Sequence, residues 1–174
     1  MRWLVIFTLV LSACGQAETE PVEVDPEPSR ADEFRSSRVE EAVEAASEVV
    51  QTRGFATMDD AWRGFLVEQS VEVRERAMRS GTCYVVLAAG SSAVRELNVG
   101  VFDSDGGEVV QDATDGPRAA LRFCPAQSGT YYLTVRATAG SGLVELRTFR
   151  GPTGLDIRVD DLFREVSPIE PEGR

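Results

Sequence analysis

Two residue types are missing from this chain. It has no histidine, and all 18 of its basic residues are arginine, so it has no lysine either. Without histidine there is no side chain whose ordinary pKa lies near neutrality, which excludes Ser-His-Asp and Cys-His proton shuttles. Without lysine there is no Schiff base and no lysine contact of a phosphate-binding loop. A histidine-ligated zinc site is excluded on the same ground, and the 3 cysteines are scattered rather than paired at the spacing of thiolate ligands. No cofactor is expected. The chain also lacks a basic stripe with interleaved aromatics, and its net charge of −11 would repel phosphate backbones, so nucleic acid is not an expected partner. Among catalytic chemistries only that of carboxylates survives these absences.

The rest of the composition is that of a folded protein. A hydrophobic share of 43% with 15 glycines among 174 residues suits one domain with a single core. At the N-terminus, Met1-Arg2 is positive, and Trp3 to Ala13 runs apolar apart from Thr8 and Ser12. A helix needs about 20 apolar residues to cross a bilayer, so this shorter run reads as the apolar region of an export signal. It ends in Leu11-Ser12-Ala13-Cys14. That sequence resembles the lipobox of bacterial lipoproteins, in which the cysteine becomes the mature N-terminus, S-alkylated with diacylglycerol and then N-acylated. The resemblance implies lipidation at Cys14 and a membrane partner reached through that lipid. With about 0.8 kcal/mol gained per buried methylene, two or three acyl chains hold a protein effectively permanently. Gly15 in place of aspartate implies, by the same resemblance, an outer-membrane location facing the periplasm or the cell surface. An ordinary secretory signal followed by a free cysteine is the alternative.

Residues 1–13 are thus read as signal and 14–33 as tether. From Gln16 to Glu33 there are seven acidic residues against one arginine, with Pro21, Pro26 and Pro28, and no core can form from that. An acidic ligand-binding tail is the other reading. Residues 34–62 are read as a helical segment. Between Ser37 and Arg53, Val39, Ala42, Val43, Ala46, Val49 and Val50 recur at steps of three and four, with Ser37 and Glu40 spaced as a capping box and Arg53-Gly54 as a stop. The stripe would pack on the domain or dock to a separate envelope partner. A second short helical turn is expected over 59–62.

Residues 63–150 carry short runs of β-formers parted by glycine, aspartate and proline about every ten residues, the pattern of an antiparallel β-sandwich. Eight strands are expected, near 64–69, 71–79, 82–89, 95–103, 107–112, 118–124, 130–139 and 142–150. Alternation is clearest in Leu97, Val99 and Val101, in Leu121 and Phe123, and in Tyr131, Leu133 and Val135. With Cys14 assigned to lipid, Cys83 and Cys124 remain as an even pair in an oxidising compartment, and a disulfide is expected. Two free thiols or intermolecular bridges are the alternatives. The extension 151–174 has no assigned role beyond a short strand expected over 155–159.

Four stretches, Gly64-Phe65-Leu66, Gly81 to Leu87, Leu97 to Asp103 and Ser128 to Val135, resemble the bacterial pre-peptidase C-terminal domains. The resemblance spans about 64–148 and implies a small jelly-roll-like sandwich serving as an accessory module, with relatives that bind polysaccharide, collagen or calcium. The chain departs from that pattern in having no attached peptidase, in its anchor, and in Glu96 and Asn98 where the family often has aspartate.

Three candidate sites follow. Asp103, Asp105 and Glu108 could offer oxygens to calcium without the full acidic spacing of an EF-hand, and turn chemistry explains them equally. Trp62, Tyr84, Tyr131 and Tyr132 could stack on a sugar ring, although alternation sends at least two of them into the core. Asp112 and Asp115 could run glycoside hydrolysis, which needs no histidine. The expectation drawn from all this is a non-enzymatic lipoprotein whose sandwich binds an envelope protein or a glycan, or serves as a scaffold. A carbohydrate-binding module is the alternative, and a carboxylate hydrolase a third reading.

Overall fold

The computed structural model describes residues 30–163 apart from Ala113, with side chains from Arg38 onward. The signal, Cys14 and the tether up to residue 29 lie outside the described residues. The first element is the helix α1 (Arg30–Thr52), followed by nine strands, β1 (Ala56–Thr57), β2 (Trp62–Leu66), β3 (Val71–Met78), β4 (Thr82–Gly90), β5 (Val94–Phe102), β6 (Glu108–Gln111), β7 (Arg118–Phe123), β8 (Gly129–Gly140) and β9 (Gly142–Pro152). A 3-10 turn at Val159–Asp161 closes the described chain.

The strands form two antiparallel sheets. One has five strands in the order β1-β9-β4-β7, with β2 also pairing along β9; the other has four in the order β3-β8-β5-β6. Between them lie Leu97, Val99 and Val101 of β5, Leu133, Val135 and Ala137 of β8, Leu121 and Phe123 of β7, and Val144 and Leu146 of β9. These include the positions that alternation marks as inward. The chain passes from β8 in one sheet to β9 in the other through Ser141 alone. Gly140 makes that corner at φ +81°, where a Cβ would stand 2.2 Å from the Ala93 carbonyl oxygen, so only glycine fits.

A second core lies on the other side of the five-stranded sheet. Ala46 and Val50 of α1, with Phe55, Ile157 and Leu162, cover Val85 and Leu87 of β4 and Phe149 of β9. Val39 and Val43 pack with Ala89. The structure therefore stacks helix, sheet and sheet, and β4 is buried on both faces, which is why Cys83 to Ala89 reads as an unbroken apolar run.

Ion pairs fasten α1 to this face. Glu145 of β9 is 1% exposed. Its Oε1 accepts from Arg147 Nε at 2.7 Å and its Oε2 from Arg63 Nε at 2.9 Å. The same two guanidiniums reach up to the helix, Arg147 to Glu44 at 2.6 Å and Arg63 to Glu40 at 2.7 Å. Burial works against the charge of Arg147, but the carboxylates of Glu44 and Glu145 outweigh it and hold the guanidinium more firmly protonated than usual.

Several expectations need correction. The helix begins at Arg30, so residues 30–33 of the expected tether are helical. No helical turn forms over 59–62: Asp59 is in a bend and Trp62 starts β2, whose hydrogen bonds to β9 outweigh local preference. The ninth strand, β1, was not expected; at two residues it is too short for a pattern and exists because β9 offers a free edge. Residues 155–158 are not a strand. Leu155 and Ile157 instead pack into the second core, and the chain then enters the 3-10 turn. Among the described residues, no helix is long and apolar enough to cross a membrane.

Candidate functional site

The two outer faces of the sandwich differ. The five-stranded sheet is covered by α1, while the four-stranded sheet carries no layer of described residues on its outer side. The registers set out that bare face in rows. In the central row Val73, Thr134, Gly100 and Gln111 stand opposite one another across β3, β8, β5 and β6. In the row on one side are Val71, Arg136 and Asn98. In the row on the other are Glu75, Tyr132 and Phe102. Opposed residues in an antiparallel sheet project from the same face, so each row is a line of neighbouring side chains.

The central row is low because Gly100 has no side chain and Thr134 a short one. Gly100 is buried, and a Cβ there would come 3.0 Å from Thr134 Oγ1 and 3.1 Å from the ring of Phe102, so a larger residue would have to displace those two side chains. The result is a hollow of about 580 Å³, with Phe102 and Tyr132 on one wall and Arg136 and Asn98 on the other.

The polar wall is tied together. Arg136 Nη2 donates to Gln69 Oε1 at 2.6 Å, and Asn98 Nδ2 donates to Thr138 Oγ1 at 3.0 Å. Gln69 also donates through Nε2 to the Thr138 carbonyl. Its φ of 67° is in the left-handed region, where it is the one non-glycine residue among those described. That conformation costs about 1 kcal/mol or more, and here it belongs to the residue whose amide joins Arg136 to β8.

Strand β3 supplies the least expected feature. In Val71 to Met78 the valines alternate with Glu72 and Arg74, and burial of apolar side chains would favour turning the valines inward. The structure does the reverse. Val71 and Val73 are each 51% exposed. Glu72 and Arg74 stand opposite the core residues Val135 and Leu133, on the inner side of the sheet. There Arg76 pairs with Asp59, and Arg74 lies 3.5 Å from Glu72. Inward-turned charges on an edge strand discourage pairing with another chain, and the register that places them inside also puts two valines on the surface. Phe65 is exposed as well, at 62%, but it shares its strand face with Arg63 on the α1 side.

The candidates named from sequence fall elsewhere. Cys83 and Cys124 are joined in a disulfide. Tyr84 is buried in the sandwich core, and Trp62 and Tyr131 pack against it, which leaves Tyr132 as the outward member of that aromatic set. The Asp103 carboxylate accepts from the backbone N–H groups of Asp105 at 3.0 Å and Gly107 at 2.8 Å, so it is committed to the β5–β6 turn. Among the described residues no three carboxylate, cysteine or histidine side chains converge as metal ligands, and Asp103, Asp105 and Glu108 do not come together as a calcium site. Asp115 is exposed while Asp112 is buried, its Oδ2 accepting from Thr114 Oγ1 at 2.8 Å.

Burial pushes the Asp112 carboxyl above its ordinary value of 3.8, against the pull of hydrogen bonds from Thr114 and Ala120, and Asp160 adds repulsion. A raised folded-state pKa means that the folded protein holds this proton better than the unfolded chain. The contribution to stability is therefore greatest in acid and falls as pH rises from 3.8 through the raised value. Asp112→Asn is expected to remove this fall, which urea midpoints of both proteins across a pH series will show; parallel curves would refute it.

A larger cavity of about 1020 Å³ lies beside β7 and the 3-10 turn. Its charges are of both signs, and Arg118 uses its guanidinium to bond the Phe163 carbonyl at 3.4 Å and to cover that ring at 5.8 Å. These contacts hold the C-terminal segment on the domain.

Gly100, Gln69, Gln111 and Arg136 were not singled out by the sequence, because what brings them together is register across the four-stranded sheet and the turn before it. The outward parity of Tyr132 and Phe102 was legible; their adjacency was not.

The molecule is thus a mainly β two-sheet sandwich with a helical layer on one side and a bare face on the other. No protein-family model and no curated protein sequence matches the chain. Among solved structures it is similar to PliG of Aeromonas hydrophila, a periplasmic lysozyme inhibitor of g-type lysozyme, at 17% identity and a TM-score of 0.43 over 57% of this chain and 90% of that one. It is also similar to the pre-peptidase C-terminal domain of a collagenase from Bacillus anthracis, at 16% identity and a TM-score of 0.44 over 52% of this chain and 89% of that one.

Proposed function

We propose that this protein is a lipid-anchored, non-catalytic binding module of the cell envelope that holds its ligand, an envelope protein or a glycan, on the outer face of the four-stranded sheet. The observation that carries this reading is the inverted β3. It spends apolar surface, Val71 and Val73, on the one face that has no covering layer among the described residues, and sets it beside Phe102 and Tyr132 around a hollow. Contiguous apolar surface rimmed by polar groups is the usual mark of a binding face. The anchor rests on Leu11-Ser12-Ala13-Cys14, and the non-catalytic reading on a chain without histidine or lysine whose Asp112 is committed to its own turn.

The test is in-cell photo-cross-linking of the full chain, with a photoreactive amino acid at Val73, at Tyr132, or at the exposed helix residue Glu48 as control. Adducts from positions 73 and 132 but not 48 are expected. Equal yields at all three, or none at 73 and 132, would refute the assignment of the face. Mass spectrometry of the natively expressed product checks the anchor separately: it is expected to begin at an acylated Cys14, and an unmodified start at Met1 would remove it.

A further inference from the structure

Resting on the assignment of this face, we infer that the envelope protein it holds is a second copy of this chain, stacked face to face across a twofold axis perpendicular to the strands. The patch is about as wide as it is long. Three strand spacings of roughly 4.8 Å make it about 14 Å across, and its flanking rows, four residues apart at roughly 3.3 Å each, stand about 13 Å from one another. Its middle is filled, because the Phe102 ring and the Thr134 side chain close over the buried Gly100. A square, shallow surface is what one sheet offers another when two faces pack about 10 Å apart.

The charges on the patch choose the occupant. Arg136 and Glu75 are both exposed, and among the described residues neither has a partner of opposite charge; Arg136 donates instead to the neutral amide of Gln69. They sit on neighbouring strands but in opposite flanking rows. Within one chain about 13 Å of strand parts them, too far for an ion pair. A twofold axis laid across the strands through the central row exchanges the two flanking rows. It sets Arg136 above Tyr132 of the second copy, whose neighbour in register is Glu75. Each guanidinium then covers a ring and has a carboxylate one strand away, and the arrangement occurs twice. Glu75 and Glu108, both in the same flanking row, stay on opposite flanks in the two copies, so no like charges are brought face to face. An axis along the strands does none of this. It keeps every residue in its own row, where Arg136 meets Val71, Asn98 or itself and never Glu75.

The apolar residues fit the same operation. Val73 lies in the central row and meets Val73 of the second copy, as a residue near the axis of an isologous interface must. Pairing along the β3 edge is the other route by which two sheets join, and Glu72 and Arg74 on the inner side oppose it. Stacking leaves those charges where they are. A patch of this size is at the low end of interface areas, which makes the dimer weak in dilute solution and places its test at the native concentration in the cell.

The experiment puts a photoreactive amino acid at Val73 of the full chain in cells and weighs the adducts. Expected is a species of twice the chain mass whose cross-linked peptides both come from this protein. Arg136→Glu and Glu75→Arg, both exposed changes, should each lower its yield about fivefold or more. The two together should restore it, since the exchange recreates the pair with its signs reversed; recovery in the double variant, and Tm near wild type in all three, separate lost pairing from lost folding. A double-mass species formed equally from a probe at Glu48 would overturn the second copy, and so would a yield that the charge variants leave unchanged. Adducts from Val73 to another protein or to a glycan, with none to its own kind, would overturn the second copy while the binding face stands. No adduct from Val73 or from Tyr132 would remove the face and the dimer together.

Discussion

Reducing the Cys83–Cys124 disulfide is expected to destabilise the protein by about 4 kcal/mol on the chain-entropy account of a loop this long. The two cysteines are 41 residues apart, and the loop they close contains β5 and β6, half of the four-stranded sheet. In the folded state the bond adds little that is not already fixed: Tyr84 and Phe123 are paired across β4 and β7, and the cysteines are the next residues outward. Its effect therefore falls on the unfolded chain, which without the bond gains the freedom of that loop. Since a domain of this size is stable by only about 5–15 kcal/mol, the loss is a large fraction of the whole. Urea denaturation with and without reductant, and of the double variant Cys83→Ala, Cys124→Ala, measures it. Alanine is preferred to serine because Cys83 is fully buried and a hydroxyl there would add a penalty of its own. An unchanged midpoint under reducing conditions would show that the bond carries none of this stability.

The second large effect is expected at Glu145. Glu145→Ala should cost about 3 kcal/mol or more, because removing one partner of a buried ion pair leaves the other charge without compensation. Arg147 is the charge at risk, with a side chain only 16% exposed; Glu44 and Ser47 hold it on the helix side, but nothing replaces Glu145 beneath it. Arg63→Ala should cost less than about 1 kcal/mol, since its side chain is 52% exposed and its pairs with Glu40 and Glu145 are partly screened. Loosening of α1 will accompany the loss at Glu145, because the same guanidiniums hold Glu40 and Glu44. Hydrogen exchange of helix amides should therefore quicken in Glu145→Ala and stay near wild type in Arg63→Ala. Similar costs for the two variants would mean that Glu145 is not the centre of the clamp.

How much of this was legible beforehand differs by element. Strands β4, β5, β7, β8 and β9 begin or end within two residues of the expected ranges, because each is bounded by glycine, proline or aspartate and carries either alternation or an unbroken apolar run. The helix stripe was legible too, as Val39, Val43, Ala46 and Val50 all became buried. Strand β3 was legible as a strand but not as to its faces. Its pattern of valine and charge gives the correct period and the wrong side, since period carries no sign until a partner strand sets it. Glu145 gave no signal of its own: a glutamate among Val144, Leu146 and Arg147 reads as solvent-facing, and only the helix laid over β9 makes that side an interior.

From the amino-acid sequence alone come the exclusion of histidine and lysine chemistry, the antiparallel sandwich class, the pairing of two cysteines once Cys14 is set aside, and the existence of an amphipathic helix. These depend on composition and on neighbours close along the chain. The tertiary structure decided which face of the sandwich is covered, that β3 turns its valines out, and that Gly100, Thr134, Phe102, Tyr132 and Arg136 share one hollow. Those are relations between elements up to 103 residues apart, Glu44 to Arg147, and they are set by register and by which layer packs on which, quantities that a local pattern does not contain.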